Sequence, residues 1–177
     1  GDTELTLEPI IVPTYEMNQN ATNGTFDAGG GLVLNVDVTS FEESTLHGVS
    51  IDPSSSGLPL SDFEGKTIAG LWYLGPATVG GNTPTGGTCS NSSFTSQAEC
   101  ERENETWTKV VWSFEIDILQ NNQLSTLTEG STVTVYNASY TDHKWLDAGT
   151  ATVSNGSLVS DTDSGLTIVS ALLITTD

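Results

Sequence analysis

The sequence predicts an all-β protein, an antiparallel β-sandwich or jelly-roll-like fold of about eight or nine strands. Three observations carry this prediction. Short segments alternate apolar and polar residues, as strands with one buried face do. Turn-forming Gly, Asn, Asp and Pro residues separate these segments. Ser and Thr make up more than a quarter of the 177 residues, whereas the amphipathic helices that a βαβ fold needs are absent from the pattern.

The candidate strands follow one another at short intervals. The segment at 109–119 has the strongest pattern, because its apolar residues share one face and its polar residues the other. The pair Asn155-Gly156 lies between two alternating segments and predicts a tight hairpin. A helical turn is predicted only at 96–103. The candidate strands are residues 4–12, 31–38, 45–51, 67–74, 109–119, 131–136, 149–153, 157–160 and 166–175.

The chain length suits a single domain. We divide it into an N-terminal strand or arm with its linker, residues 1–30, and a β-sandwich domain, residues 31–177. Residues 75–106 are too long for a connector in a compact domain. We interpret them as a loop insertion that projects from the domain.

The N-terminal segment is strand-like and is followed by Pro13 and a polar stretch. This pattern suits an arm that pairs with a neighbouring subunit by β-augmentation or donor-strand exchange, although by itself it slightly favours the alternative. The alternative is an ordinary first strand of the chain's own sheet. The predicted assembly contacts are Leu5, Leu7, Ile10, Ile11 and Val12.

The two cysteines, Cys89 and Cys100, lie in a polar loop that cannot order itself by packing. We therefore expect a disulfide between them, the alternative being two free thiols. A metal site needs more ligands than two thiols at this spacing, and no His lies nearby. We predict no cofactor.

The residues around the cysteines form a short cassette: Cys89, the run Ala98-Glu99-Cys100-Glu101, and the run Thr106-Trp107-Thr108. This cassette, within residues 86–108, resembles cassettes in virion structural proteins of tailed bacteriophages, notably marine ones, where it occurs in fibres and surface-exposed modules. Similar cassettes occur in bacterial surface proteins. The resemblance implies an exposed structural protein and specifies no activity.

The net charge of −19 excludes several classes of partner. Nucleic-acid binding needs a cluster of basic residues on one surface. The four basic residues are instead scattered along the sequence, at Lys66, Arg102, Lys109 and Lys144. An anionic membrane surface would repel the chain, and no apolar run reaches the length of a membrane span. The pattern therefore predicts no nucleic-acid and no membrane partner.

The sequence offers little for catalysis, and we predict no catalytic residues. Only His47 and His143 could serve as imidazole bases, and no nucleophile motif accompanies them. Asp161 and Asp163 alternate before a Gly, as at the start of a calcium loop, but a strand-like segment follows. We favour a solvated turn there over a calcium site.

Tryptophan and asparagine give two further hypotheses. Trp72 and Trp112 lie in apolar segments and suit a core, whereas Trp107 and Trp145 flank loops, as the platform of a carbohydrate-binding module would. Six Asn-x-Ser/Thr sequons indicate surface loops without establishing glycosylation: Asn20, Asn23, Asn91, Asn104, Asn137 and Asn155.

These observations together predict a non-enzymatic structural subunit of a large assembly. The resemblance implies a capsid decoration (cement) protein on the virion surface, bound to the capsid or to copies of itself as a homo-oligomer or lattice-bound subunit. The alternatives are a secreted cell-surface or pilus-like filament subunit that polymerises by strand donation, a phage tail-tube or tail protein, and a carbohydrate-binding module. The expected location is the virion or, for the alternatives, the cell surface.

Overall fold

The computed structural model describes residues 14–16, 24–36, 45–76, 83–84, 87–139 and 142–176. The predicted all-β class is confirmed. The strands are β1 (Thr14–Glu16), β2 (Thr25–Gly29), β3 (Leu32–Asn35), β4 (Thr45–Ser50), β5 (Ile68–Pro76), β6 (Thr83–Pro84), β7 (Gly87–Cys89), β8 (Trp107–Lys109), β9 (Phe114–Asp117), β10 (Thr132–Ser139), β11 (Lys144–Ser154), β12 (Ser157–Ser160), β13 (Ile168–Val169) and β14 (Leu172–Thr175). The helical elements are α1 (Gln97–Arg102) and the 3-10 turns Pro53–Ser55, Ser61–Phe63, Ile118–Gln120 and Leu124–Thr126.

Ten antiparallel strands form one sheet in the order β1-β4-β5-β14-β10-β11-β12-β9-β3-β2. The sheet curls until β2 lies against β4, so that nine of its strands nearly close a barrel. At this join a Cβ on Gly48 would lie 2.9 Å from the Ala28 Cβ, so the close approach requires glycine. The Trp72 indole N–H donates to the Gly29 carbonyl at 3.0 Å and links β5 to β2.

The interior of the curled sheet holds the main core, whose largest fully buried side chains include Trp72, Trp112 and Phe114. A second, smaller cluster covers the outer face of β5, β10 and β14, with Phe63 contributed by a 3-10 turn. β14 is therefore buried on both faces: Leu172 and Ile174 point into the main core and Leu173 into the second cluster. Burial of this kind removes apolar surface from water on both sides of one strand.

Several elements lie where the sequence patterns predicted them. β12 spans residues 157–160 as predicted, and Asn155 and Gly156, with φ of 52° and 81°, form the tight β11–β12 hairpin. The predicted helical turn is α1. β11 is longer than its predicted segment because a bulge lets it continue along β10, with Ala148 and Gly149 of β11 opposite the single residue Val135 of β10.

The predicted strand at 109–119 is wrong in its extent. β8 pairs with β7 outside the main sheet, and β9 begins only at Phe114. Between them Trp112 exchanges two backbone hydrogen bonds with Leu166, at 2.8 and 3.0 Å. The end of the segment turns into the Ile118–Gln120 3-10 turn, where the Asp117 carboxylate accepts the Leu119 N–H at 3.1 Å.

The predicted boundary between the N-terminal arm and the β-sandwich domain, at residue 30, lies directly after β2. Residues 25–29 pair with β3, and Phe26 and Ala28 are buried in the main core, so this part of the predicted linker belongs to the sheet. The predicted strand at 4–12 and its contacts Leu5, Leu7, Ile10, Ile11 and Val12 lie outside the described residues.

Candidate functional site

The predicted disulfide between Cys89 and Cys100 is confirmed. It joins β7 to α1, and the Cys100 side chain is fully buried. The helix begins after Ser96, whose hydroxyl accepts the Glu99 N–H at 3.2 Å as an N-cap. β7, α1 and β8 therefore form a small lobe, which we call the stapled lobe (Gly87–Lys109) and which has its own two-stranded sheet.

The cassette residues hold this lobe together. The Ser90 hydroxyl donates to the Glu105 carboxylate at 2.5 Å and accepts the Thr106 N–H at 2.9 Å. Trp107 packs on the face of Gly87, where a Cβ would lie 2.6 Å from the indole nitrogen. The indole is thus a packing element of the lobe, and the groove beside it is lined by Phe94, Cys89 and short polar residues.

The structure places the two candidate calcium ligands, Asp161 and Asp163, in a turn beside β11. Both Asp161 carboxylate oxygens accept β11 hydroxyls, from Thr150 at 2.6 Å and Thr152 at 2.9 Å. Asp163 is exposed, with a φ of 62°. Within the described part of the chain, no group of three or more His, Cys, Asp or Glu is placed to hold a metal ion. Through these hydrogen bonds Asp161 links the turn at 161–165 to β11.

Trp145 lies in a different setting from Trp107. Its partly buried side chain lines an open groove of about 390 Å³, which we call the Trp145 groove. The groove lies over the second hydrophobic cluster, between the start of β11 and the segment at 58–62. Its lining is Leu58, Pro59, Ser61, Asp62, Ala138, Ser139, His143, Lys144 and Trp145.

The Trp145 indole is fixed in this groove. Its N–H donates to the Pro59 carbonyl at 2.9 Å. The Phe63 ring meets it edge-on, with ring centroids 5.5 Å apart and planes inclined by 70°, and meets Tyr136 similarly at 4.8 Å. The Lys66 ammonium lies 5.5 Å from the Tyr136 ring centroid and donates to its hydroxyl at 3.1 Å.

The segment that carries Leu58 and Pro59, one wall of the groove, is held by further hydrogen bonds. The Tyr73 hydroxyl donates to the Ser56 carbonyl at 2.6 Å, and burial raises the pKa of this hydroxyl. The exposed Asp52 carboxylate caps the preceding 3-10 turn, and hydrogen bonds from the Ser54 hydroxyl and backbone N–H lower the pKa of Asp52. These contacts hold the segment that carries Leu58 and Pro59.

Sequence reasoning counted Asn137 only as a sequon, but it is a buried structural residue, 1% exposed. Its amide nitrogen donates to Ser170 Oγ at 2.8 Å and to the Ile168 and Ala171 carbonyls, while its oxygen accepts two backbone N–H groups. Glycosylation at Asn137 is incompatible with these contacts. The signal was available, because strand alternation places Asn137 on the same face as Val133 and Val135, both buried.

The acidic residues that the structure describes are exposed or partly exposed. Among the Asp and Glu whose side chains the structure describes, none is buried, and Glu99, Glu101 and Glu103 form an exposed group on the stapled lobe. No helix in the described ranges is long and apolar enough to cross a membrane. Comparison with protein-family models, with curated proteins and with solved structures finds no match to this chain.

Proposed function

We propose that this protein is a non-enzymatic structural subunit of a large assembly, most simply a decoration protein on the capsid surface of a tailed bacteriophage. The observation that carries the assembly role is the position of β1. Thr14–Glu16 forms the outermost strand of the ten-stranded sheet, and no other described strand pairs with its outer edge. The predicted arm therefore leads directly into a sheet edge.

A sheet edge is where strand addition takes place. Its unpaired N–H and C=O groups accept a strand from another chain, and the alternating apolar side chains of that strand supply specificity. Leu5 and Leu7 alternate in this way, and Ile10, Ile11 and Val12 follow just before Pro13. The proposed mechanism is adhesion through this arm, which reaches a neighbouring subunit.

The charge supports contact through the arm rather than between acidic faces. With a net charge of −19, two copies repel one another. Because most of the described Asp and Glu residues are exposed, contact between two acidic faces would leave like charges close together, which is destabilising. The proposed partner surface on a capsid is therefore neutral or basic.

The phage assignment rests on the cassette resemblance and on the lobe that carries it. The stapled lobe packs its cassette residues against one another and exposes Glu99, Glu101 and Glu103, as suits an exposed module. A cell-surface filament subunit that polymerises by strand donation uses the same arm and is the second candidate. A tail-tube subunit is a variant of the first.

Removal of residues 1–12 tests the proposal. We expect the intact chain to sediment as an oligomer, and the deletion variant to be a folded monomer with an unchanged melting temperature. The matched control carries Asp2→Asn, Glu4→Gln and Glu8→Gln, which alter the polar residues of the same segment, and it should still assemble.

Two results would contradict the proposal. A deletion variant that unfolds would show that the segment is an intramolecular strand. An intact chain that stays monomeric at high concentration would show that the arm does not join copies, which contradicts the homo-oligomeric decoration protein and the filament subunit. Regular filaments in electron micrographs of the intact chain would favour the filament subunit over the decoration protein.

A further inference from the structure

We propose that the Trp145 groove binds a neutral saccharide, with the Trp145 indole as the platform on which a sugar ring stacks. This is a binding activity beyond the assembly role and does not depend on it. Sugar rings present an apolar C–H face and a rim of hydroxyl groups, so a site for them combines a flat aromatic surface with donors and acceptors at its edge. The Trp145 groove has both parts.

The platform is preorganised. The hydrogen bond from the Trp145 N–H to the Pro59 carbonyl, at 2.9 Å, and the edge contact with Phe63 fix the orientation of the indole before any ligand arrives. A side chain that is already held loses less conformational entropy on binding. The side chain is only partly buried and lines the open groove, so part of its surface is available to a ligand.

The rim supplies groups of both kinds. Asp62 offers carboxylate acceptors, Lys144 offers ammonium donors, and Ser61 offers a hydroxyl that does either; all three side chains are exposed and line the groove. His143 lines the same groove and adds a ring nitrogen. The vicinal hydroxyls of a sugar donate and accept at once, which matches this mixture better than a ligand of one charge.

Charge and size narrow the ligand class. The protein's net charge of −19 repels anionic glycans and nucleotides at long range, and Asp62 lies on the rim itself. The volume of about 390 Å³ falls within the range of small-ligand sites, about 300–1,000 Å³. An open groove of this size suits one or two sugar rings of a longer neutral glycan.

Trp107 does not offer an equivalent site. Its indole is packed on Gly87, and the groove beside it, about 280 Å³, has no charged residue in its lining. The sequence predicts Trp107 and Trp145 together as a sugar-binding platform, but only Trp145 lines a groove with charged residues at its rim. Trp107 provides a matched control for Trp145.

The test is a titration of the full-length chain with neutral trisaccharides of glucose, mannose, galactose and N-acetylglucosamine, followed by isothermal calorimetry and NMR. We expect saturable binding of at least one of them. Trp145→Ala should lower the affinity at least about tenfold, as loss of a central aromatic anchor does. Trp107→Ala should bind as the unchanged protein does.

Asp62→Ala and Lys144→Ala keep the test decisive if Trp145→Ala fails to fold, because both replace exposed rim residues. Each should weaken binding without lowering the melting temperature. Failure of all the trisaccharides to bind saturably, full affinity in both rim variants, or full affinity in a folded Trp145→Ala protein would overturn the proposal. Binding confined to an acidic probe, trigalacturonate, would overturn the neutral class.

Discussion

At the scale of single residues, one buried amide joins two parts of the chain. Asn137 lies on β10 and bonds to the backbone of the segment at 167–171, which contains β13 and ends just before β14. Ser170 links to it and donates in turn to the Ala138 carbonyl at 2.5 Å. A fully satisfied buried network of this kind fixes the path of an irregular segment that apolar packing alone would leave free.

Replacement of Asn137 should therefore be costly. Asn137→Ala removes the side-chain acceptor of the Ile168 N–H and the side-chain donor to Ser170 Oγ and the Ile168 carbonyl from a buried position, and we expect a loss of about 2–4 kcal/mol in the free energy of unfolding. Urea denaturation measures this loss. The matched control is Asn122→Ala at an exposed turn, with an expected change within about 0.5 kcal/mol. Equal effects in the two variants would show that the Asn137 network does not support the fold.

At the scale of elements, the stapled lobe and the curled sheet are held by different means. The sheet has two apolar clusters, whereas the lobe buries little beyond Cys100 and depends on the disulfide and on local caps. Small segments with little core need a cross-link to stay ordered. The two parts should therefore respond differently to the loss of that cross-link.

The double variant Cys89→Ser/Cys100→Ser tests this difference. In the chain-entropy model a short loop of this kind gains about 3 kcal/mol from its disulfide, so the lobe should unfold locally once the cross-link is removed. Hydrogen exchange should show loss of protection in β7, α1 and β8, with protection of β10, β12 and β14 retained. Loss of protection throughout the chain would mean that the lobe and the sheet fold as one unit.

The elements that the sequence predicted are those that depend on neighbouring residues rather than on distant ones. β12 and its hairpin follow from neighbouring residues, as does the disulfide, because the signals are local. The break within 109–119 does not, because Leu166 is the partner that holds Trp112. The Trp145 groove escapes sequence reasoning for the same reason: its two walls, at 58–62 and at 138–139 with 143–145, meet only through the order of β5, β14 and β10 in the sheet.

At the scale of the whole molecule, the charge is a property of the surface. The net charge on the 177 residues is −19, and most of the described Asp and Glu residues are exposed. Such repulsion favours solubility and weakens the compact state. Surface repulsion of this kind is screened by salt, since the Debye length falls from about 30 Å at 0.01 M to about 3 Å at 1 M.

The folded state should therefore gain stability with salt. We expect the melting temperature at neutral pH to rise between 0.01 M and 0.5 M NaCl, because screening relieves repulsion that unfolding would otherwise relieve. The matched variant Glu99→Gln/Glu101→Gln/Glu103→Gln removes three exposed charges from one lobe and should start from a higher melting temperature with a smaller salt-dependent rise. Scanning calorimetry across the salt series measures both. A melting temperature independent of NaCl in the unchanged protein would show that packing, and not charge repulsion, limits its stability.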